Sequence, residues 1–125
     1  MTSGTIPLVT GWLDVLKLPP PDYLVTAESV EKGKPDPACY RLGREKLKLG
    51  SDARVVVLED SPAGIQAGKA AGCKVISLVT THTLEQVLAA EPDWVLQDLR
   101  SVEMVECAAG VVTLQISNAV MQAGK

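Results

Sequence analysis

The 125-residue sequence contains no phenylalanine, and aromatic residues of all kinds make up 3% of it. A core must therefore be assembled from Val, Leu, Ile and Ala. Cationic runs are missing too. No five consecutive residues are basic, the formal net charge is -3 and the pI is near 5.1, which argues against a nucleic-acid surface. No apolar stretch approaches the ~20 residues of a membrane span, and the opening MTSGTIPLVT has neither the charged start nor the apolar run of a signal peptide. Cys39, Cys73 and Cys107 are far apart and form no C-x-x-C, so reduced thiols in a cytoplasmic protein are expected.

What is present is an ordinary globular composition, 46% hydrophobic and 22% charged, of a length that suits one domain over residues 1–125. Leu8, Val9, Trp12, Leu13, Val15 and Leu16 recur at helical spacing between Ile6 and Leu18, and LPPPD ends that helix. Tyr23–Ala27 (YLVTA) reads as a short strand. Asp36-Pro37 is a good N-cap and first-turn pair for a helix over about Ala38–Leu49. ARVVVLE is a continuous apolar strand of the kind covered on both faces of a parallel sheet. Ser61-Pro62 opens a helix that Gly72 ends. CKVISLV, a short helix over Leu84–Ala90 and DWVLQ continue the alternation, which predicts an α/β fold with an open parallel sheet. The tail differs: VEMVEC and VVTLQIS flank AAG and predict a hairpin on the edge of that sheet.

In open parallel sheets, ligands gather at the carboxyl ends of the strands. Glu59-Asp60 ends an apolar strand there, directly before a helix rich in small residues. Two carboxylates at a helix start can be mere caps, or hard-oxygen ligands of the kind Mg²⁺ takes beside phosphate. Lys34 precedes Pro35, which biases its backbone toward an extended conformation and lets it stand as a point charge suited to phosphate; Lys32 reads as a solvated neighbour. The Thr2-Ser3-Gly4-Thr5 stretch, just before a helix, offers hydroxyls and backbone N–H groups to an anion, or simply caps the helix.

TSGT, GKPDP and VVVLEDSPAGIQAGKAAG together resemble the second, third and fourth motifs of the haloacid dehalogenase (HAD) superfamily of phosphatases. The resemblance runs from Thr2 to about Ser117 and is nearest to the phosphatases of glycerol phosphate and 2-deoxyglucose 6-phosphate. It implies a Rossmann-like core and an Mg²⁺-dependent phosphatase working through an aspartyl-phosphate on small phosphorylated sugars or polyols. Thr2, or Ser3 in the neighbouring register, would hydrogen-bond the phosphoryl group, with Ser3 and Gly4 adding backbone donors. Lys34 would neutralise phosphate and nucleophile, Asp60 would be the main Mg²⁺ ligand, and Glu59 a supporting carboxylate.

The sequence departs from the family's pattern in containing no D-x-D, the motif that supplies nucleophile and general acid/base. The chain is therefore expected to be the C-terminal part of such an enzyme, without the first strand and the cap, and inactive by itself. An exposed strand edge would then favour self-association or a missing N-terminal half as partner. Two other expectations stay open: a non-catalytic remnant binding phosphate or Mg²⁺ or serving as an interaction module, and, less consistent with the order of motifs, a receiver-like phosphoacceptor domain.

Overall fold

Strand β1 (Val56–Glu59) forms from the apolar run, and the computed structural model, which describes residues 1–122, pairs it with β2 (Lys74–Leu78) in parallel. Strand β3 (Trp94–Leu96) follows in parallel on β2, and the two-residue β6 (Met121–Gln122) closes the far edge antiparallel, giving the order β1-β2-β3-β6. The crossovers are helices, α3 (Pro62–Ala70) between β1 and β2 and α4 (Leu84–Ala89) between β2 and β3. Helices α1 (Ile6–Val15) and α2 (Ala38–Lys46) precede them in the chain. The predicted alternation of strand and helix is thus present, and among the described residues no helix is long and apolar enough to cross a membrane.

Register places Val57 beside Val75, and Glu59 beside Ser77, so one face of the sheet carries Val57, Val75 and Val95 into the main core. Helix α3 lies close on that face because its contact positions are small. A Cβ at Gly68 would stand 3.0 Å from Val75 Cγ2 and 3.4 Å from Val57 Cγ1, a fit so tight that any larger residue would make the helix or these valines give by a few tenths of an ångström. Ile65, Ala67, Val87, Cys39 and Tyr40 complete the same cluster. Its chemistry is aliphatic, as a chain without phenylalanine requires.

The opposite face is unevenly covered. Ile76, Leu78 and Leu96 pack against Val102, Leu114 and Ile116 at the base of the hairpin β4 (Val102–Ala108) and β5 (Val111–Ile116). The hairpin turns at Ala109-Gly110, both at positive φ, the conformation a two-residue connection of right-handed twist needs. It forms a two-stranded sheet of its own, so the antiparallel edge of the main sheet belongs to β6 and not to the hairpin as expected. The cluster it joins contains residues of β2 and β3 but none of β1. Val56 and Leu58 are 45% and 48% exposed, and burial along β1 alternates where cover on both faces was expected. The apolar run is there, but β1 is an outer strand and its second face meets solvent.

Two further expectations change. Tyr23–Ala27 is not a strand: Thr2 N–H donates to Val25 O at 3.0 Å and Ala27 N–H to Gly4 O at 3.0 Å, and Thr26 then caps a 3-10 turn over Ala27–Ser29. Two bonds to a turn do not make a ladder. Helix α1 has the predicted spacing but buries no residue, and Leu8, Trp12, Val15 and Leu16 are all more than half exposed.

Candidate active site

The residues singled out in the sequence converge at the carboxyl end of the parallel strands. An open cleft of about 860 Å³ is bordered there by Thr2, Ser3, Lys34, Glu59, Asp60 and Ser61, with Thr80, Asp98 and Arg100 on the far side. Glu59 is the last residue of β1, Arg100 lies in a 3-10 turn over Leu99–Ser101, and the others come from segments that follow a strand or open a helix. Parallel strands leave their last carbonyls and the following helix starts at one rim of the sheet, so separated motifs meet without any long excursion.

Glu59 is the hub. It is 7% exposed, and one carboxylate oxygen, Oε1, accepts from both the Lys34 ammonium and the Tyr40 hydroxyl. Oε2 faces the start of α3, with Ser61 Oγ at 3.4 Å and the Asp60 N–H at 3.3 Å. The helix start accommodates this carboxylate because residue 64 has no side chain. A Cβ at Gly64 would fall inside the Glu59 carboxyl group. Ser61 caps α3 by accepting from Gly64 N–H at 3.1 Å, which fixes the turn against which Glu59 lies. Burial first, and then the bond to Glu59, push the Tyr40 phenol far above its ordinary value, so it remains a donor.

Lys34 sits beside this hub on a loop whose next residues are fixed by Asp36, which accepts from Ala38 N–H at 2.9 Å, while the N-cap of α2 is Pro37, one residue beyond the predicted cap. Its side chain is only 11% exposed, whereas Lys32 is exposed. A lysine has three donors. Glu59 takes one, and no other hydrogen bond engages the ammonium among the described residues.

Asp60 turns the other way. Its Oδ2 accepts from the Thr81 hydroxyl at 2.7 Å, and Thr81 in turn contacts His82 Nδ1 at 2.9 Å. Thr2 Oγ1 accepts from Gly4 N–H at 3.0 Å, so Gly4, expected to offer its N–H to an anion, uses it inside the turn, and the neighbouring Ser3 N–H makes no hydrogen bond among the described residues. At the far side, the Arg100 guanidinium grips Asp98 through bonds of 2.6 to 3.1 Å, which hold that carboxyl down at about 2.

The donor set can be tested against Mg²⁺. No three His, Cys, Asp or Glu side chains come together among the described residues. Glu59 has both oxygens engaged inside the protein, which leaves Asp60 as the carboxylate open to the cleft. One carboxylate fits an ion that keeps most of its waters and completes its shell with phosphate oxygens. Sequence reasoning missed Tyr40, Thr81, Asp98 and Arg100. GKPDPACY places Tyr40 six residues after Lys34, but only the fold shows that one helical turn brings its hydroxyl to the same carboxylate.

Comparison with known proteins shows which family the chain resembles. The glycerol-1-phosphate phosphohydrolase 1 of Saccharomyces cerevisiae is 40% identical over 111 residues, covering 84% of this chain and 44% of that protein. The hexitol phosphatase A of Escherichia coli is 39% identical over 118 residues, covering 92% of this chain and 52% of that protein. The chain thus spans about half the length of the curated relatives it matches. A hydrolase structure from Pseudomonas syringae superposes with a TM-score of 0.68 at 26% identity, over 77% of this chain and 46% of that one. Residues 1–78, which carry Thr2, Lys34, Glu59 and Asp60, match the family described as haloacid dehalogenase-like hydrolase. With its sheet, its lysine–carboxylate cleft and that match, the chain belongs to the haloacid dehalogenase-like hydrolase family.

Proposed function

We propose that this chain forms the phosphate-binding side of an Mg²⁺-dependent phosphatase acting on small sugar or polyol phosphates. The observation that carries the reading is the convergence of Lys34, Asp60 and the Thr2-Ser3 turn on one cleft at the carboxyl ends of the strands. The names of the relatives, a glycerol-1-phosphate phosphohydrolase and a hexitol phosphatase, support the substrate class.

In this reading, Lys34 places a fixed positive charge against the phosphoryl oxygens, while the Thr2 hydroxyl and the Ser3 N–H orient them. Glu59 keeps Lys34 at the cleft wall. Asp60 would hold Mg²⁺, which when bound supplies charge neutralisation for the phosphoryl group. The step itself transfers the phosphoryl group to an aspartate carboxylate, releases the alcohol, and ends when water hydrolyses the acyl phosphate. No D-x-D exists in the sequence, so the reading takes that carboxylate from outside these 125 residues.

The test restores it. A D-x-D segment from a family relative, fused or co-expressed, should give Mg²⁺-dependent phosphate release from glycerol phosphate. Lys34→Ala and Asp60→Asn should each lower kcat on the order of a hundredfold, the scale for one preorganised electrostatic group. Thr2→Ala should cost less, and Lys32→Ala nearly nothing. A folded complex without activity would reject the catalytic reading. It would favour the second one, a phosphate-binding or interaction module, which the absence of D-x-D supports.

A further inference from the structure

We propose that Tyr40 is a positioning residue for Lys34, acting through Glu59 to keep the ammonium presented to the cleft. The inference rests on the reading of Lys34 as the phosphate-binding cation. The Tyr40 hydroxyl donates to the same Glu59 oxygen that accepts from Lys34, and the Lys34 ammonium stands 5.3 Å from the centroid of the Tyr40 ring. Three groups therefore share one buried knot.

A bare lysine–glutamate pair is a poor phosphate receptor, because the carboxylate cancels the charge the phosphate needs and competes for its donors. Tyr40 changes that balance. Its phenol is buried and donates to Oε1, a neutral donor held against that oxygen. An oxygen already occupied by a hydroxyl takes one ammonium donor and attracts it less, which leaves the other two for a ligand. The ring face gives the ammonium a second resting contact that carries no formal charge. Gly64 and the Ser61 turn wall off the other side of Glu59, so its carboxylate cannot rotate to follow the lysine.

The experiment titrates inorganic phosphate into the isotope-labelled chain and follows the Lys34 side chain by NMR. Tyr40→Phe should weaken phosphate binding about tenfold, the value of one hydrogen bond to a charged acceptor. In a Glu59→Gln background, the same substitution should change affinity less than about twofold, because the effect runs through that carboxylate. Unchanged affinity in Tyr40→Phe, or an equal loss in both backgrounds, would overturn the proposal. Phosphate binding insensitive to Lys34→Ala would reject the phosphate reading instead. The positioning is then read from the two Lys34 Hε signals beside the ring: distinct in the parent and merged in Tyr40→Phe supports it, distinct in both overturns it. Should Tyr40→Phe fail to fold, a ring-fluorinated tyrosine at position 40 keeps the shape with a stronger donor. Tighter phosphate binding is then expected, and no change or a loss overturns the idea.

Discussion

Two buried carboxylates sit at opposite ends of the same sheet. Glu59, 7% exposed, closes the carboxyl end of β1, and Asp93, 8% exposed, precedes β3 at the other end. Each is paired with lysine. Asp93 receives the Val75 N–H at 2.8 Å and the Lys69 ammonium at 3.1 Å, with Lys74 at 3.6 Å. Its lysines reach in from solvent, with side chains 38% and 67% exposed, whereas Lys34 is 11% exposed and borders a cleft. Asp93 ties two strands and a helix end together, and Glu59 holds the Lys34 ammonium at the cleft wall. Under the proposed function, the same ion pair serves structure where its lysine faces bulk water and phosphate binding where it faces a concave wall.

Truncating each carboxylate should separate the two roles. Glu59→Ala leaves Lys34 enclosed without its counter-charge, and the cost should be about 3–5 kcal/mol in denaturant unfolding, together with loss of phosphate binding. Asp93→Ala orphans the buried Val75 N–H while its lysines relax into solvent. It should cost about 1–3 kcal/mol and leave phosphate affinity untouched. Comparable losses of phosphate affinity in both variants would abolish the distinction.

Acid sharpens it further. Burial works against the charged form of Asp93, but the Val75 N–H, Lys69 and Lys74 outweigh it and hold the carboxyl below its ordinary value. A group depressed in the folded state stabilises above its unfolded value of about 3.9 and loses that contribution as pH falls through the folded value. The parent chain should therefore lose stability below about pH 4 faster than Asp93→Asn, measured by urea midpoints across that range. The smallest effect is reserved for Lys74→Ala. Its ammonium is distant and solvated, so unfolding should shift by less than about 0.5 kcal/mol. A larger shift would mean that the rim of Asp93 is drier than its lysines' exposure implies.

Much of this was legible from pattern. The β1, β2 and β3 runs, the Ser61-Pro62 helix start and the start of α2 just after Asp36-Pro37 are local features, and local chemistry decided them. Asp60 could be placed at the carboxyl rim because it follows a parallel strand, whereas Lys34 follows no strand and reaches the same rim through the loop before α2. The misreadings share a different cause. Whether Val56 and Leu58 are covered depends on what lies across the sheet, and Tyr23–Ala27 needed a partner strand where it found only the Thr2–Gly4 turn. The knot of Tyr40, Glu59 and Lys34 joins residues 19 and 25 positions apart, so no periodicity could announce it.

Gly64 carries a consequence of its own. It has no side-chain functional group, yet its missing Cβ is the space in which the Glu59 carboxyl lies. The first turn of α3 is thus a mould, and its shape is read out as charge placement several residues away. An alanine there would leave a sound helix and displace the Glu59 carboxylate from its seat, releasing lysine and phenol together. In a screen of variants, position 64 would therefore score with the charged residues of the cleft, and Gly68, which spaces helix from sheet, with the core.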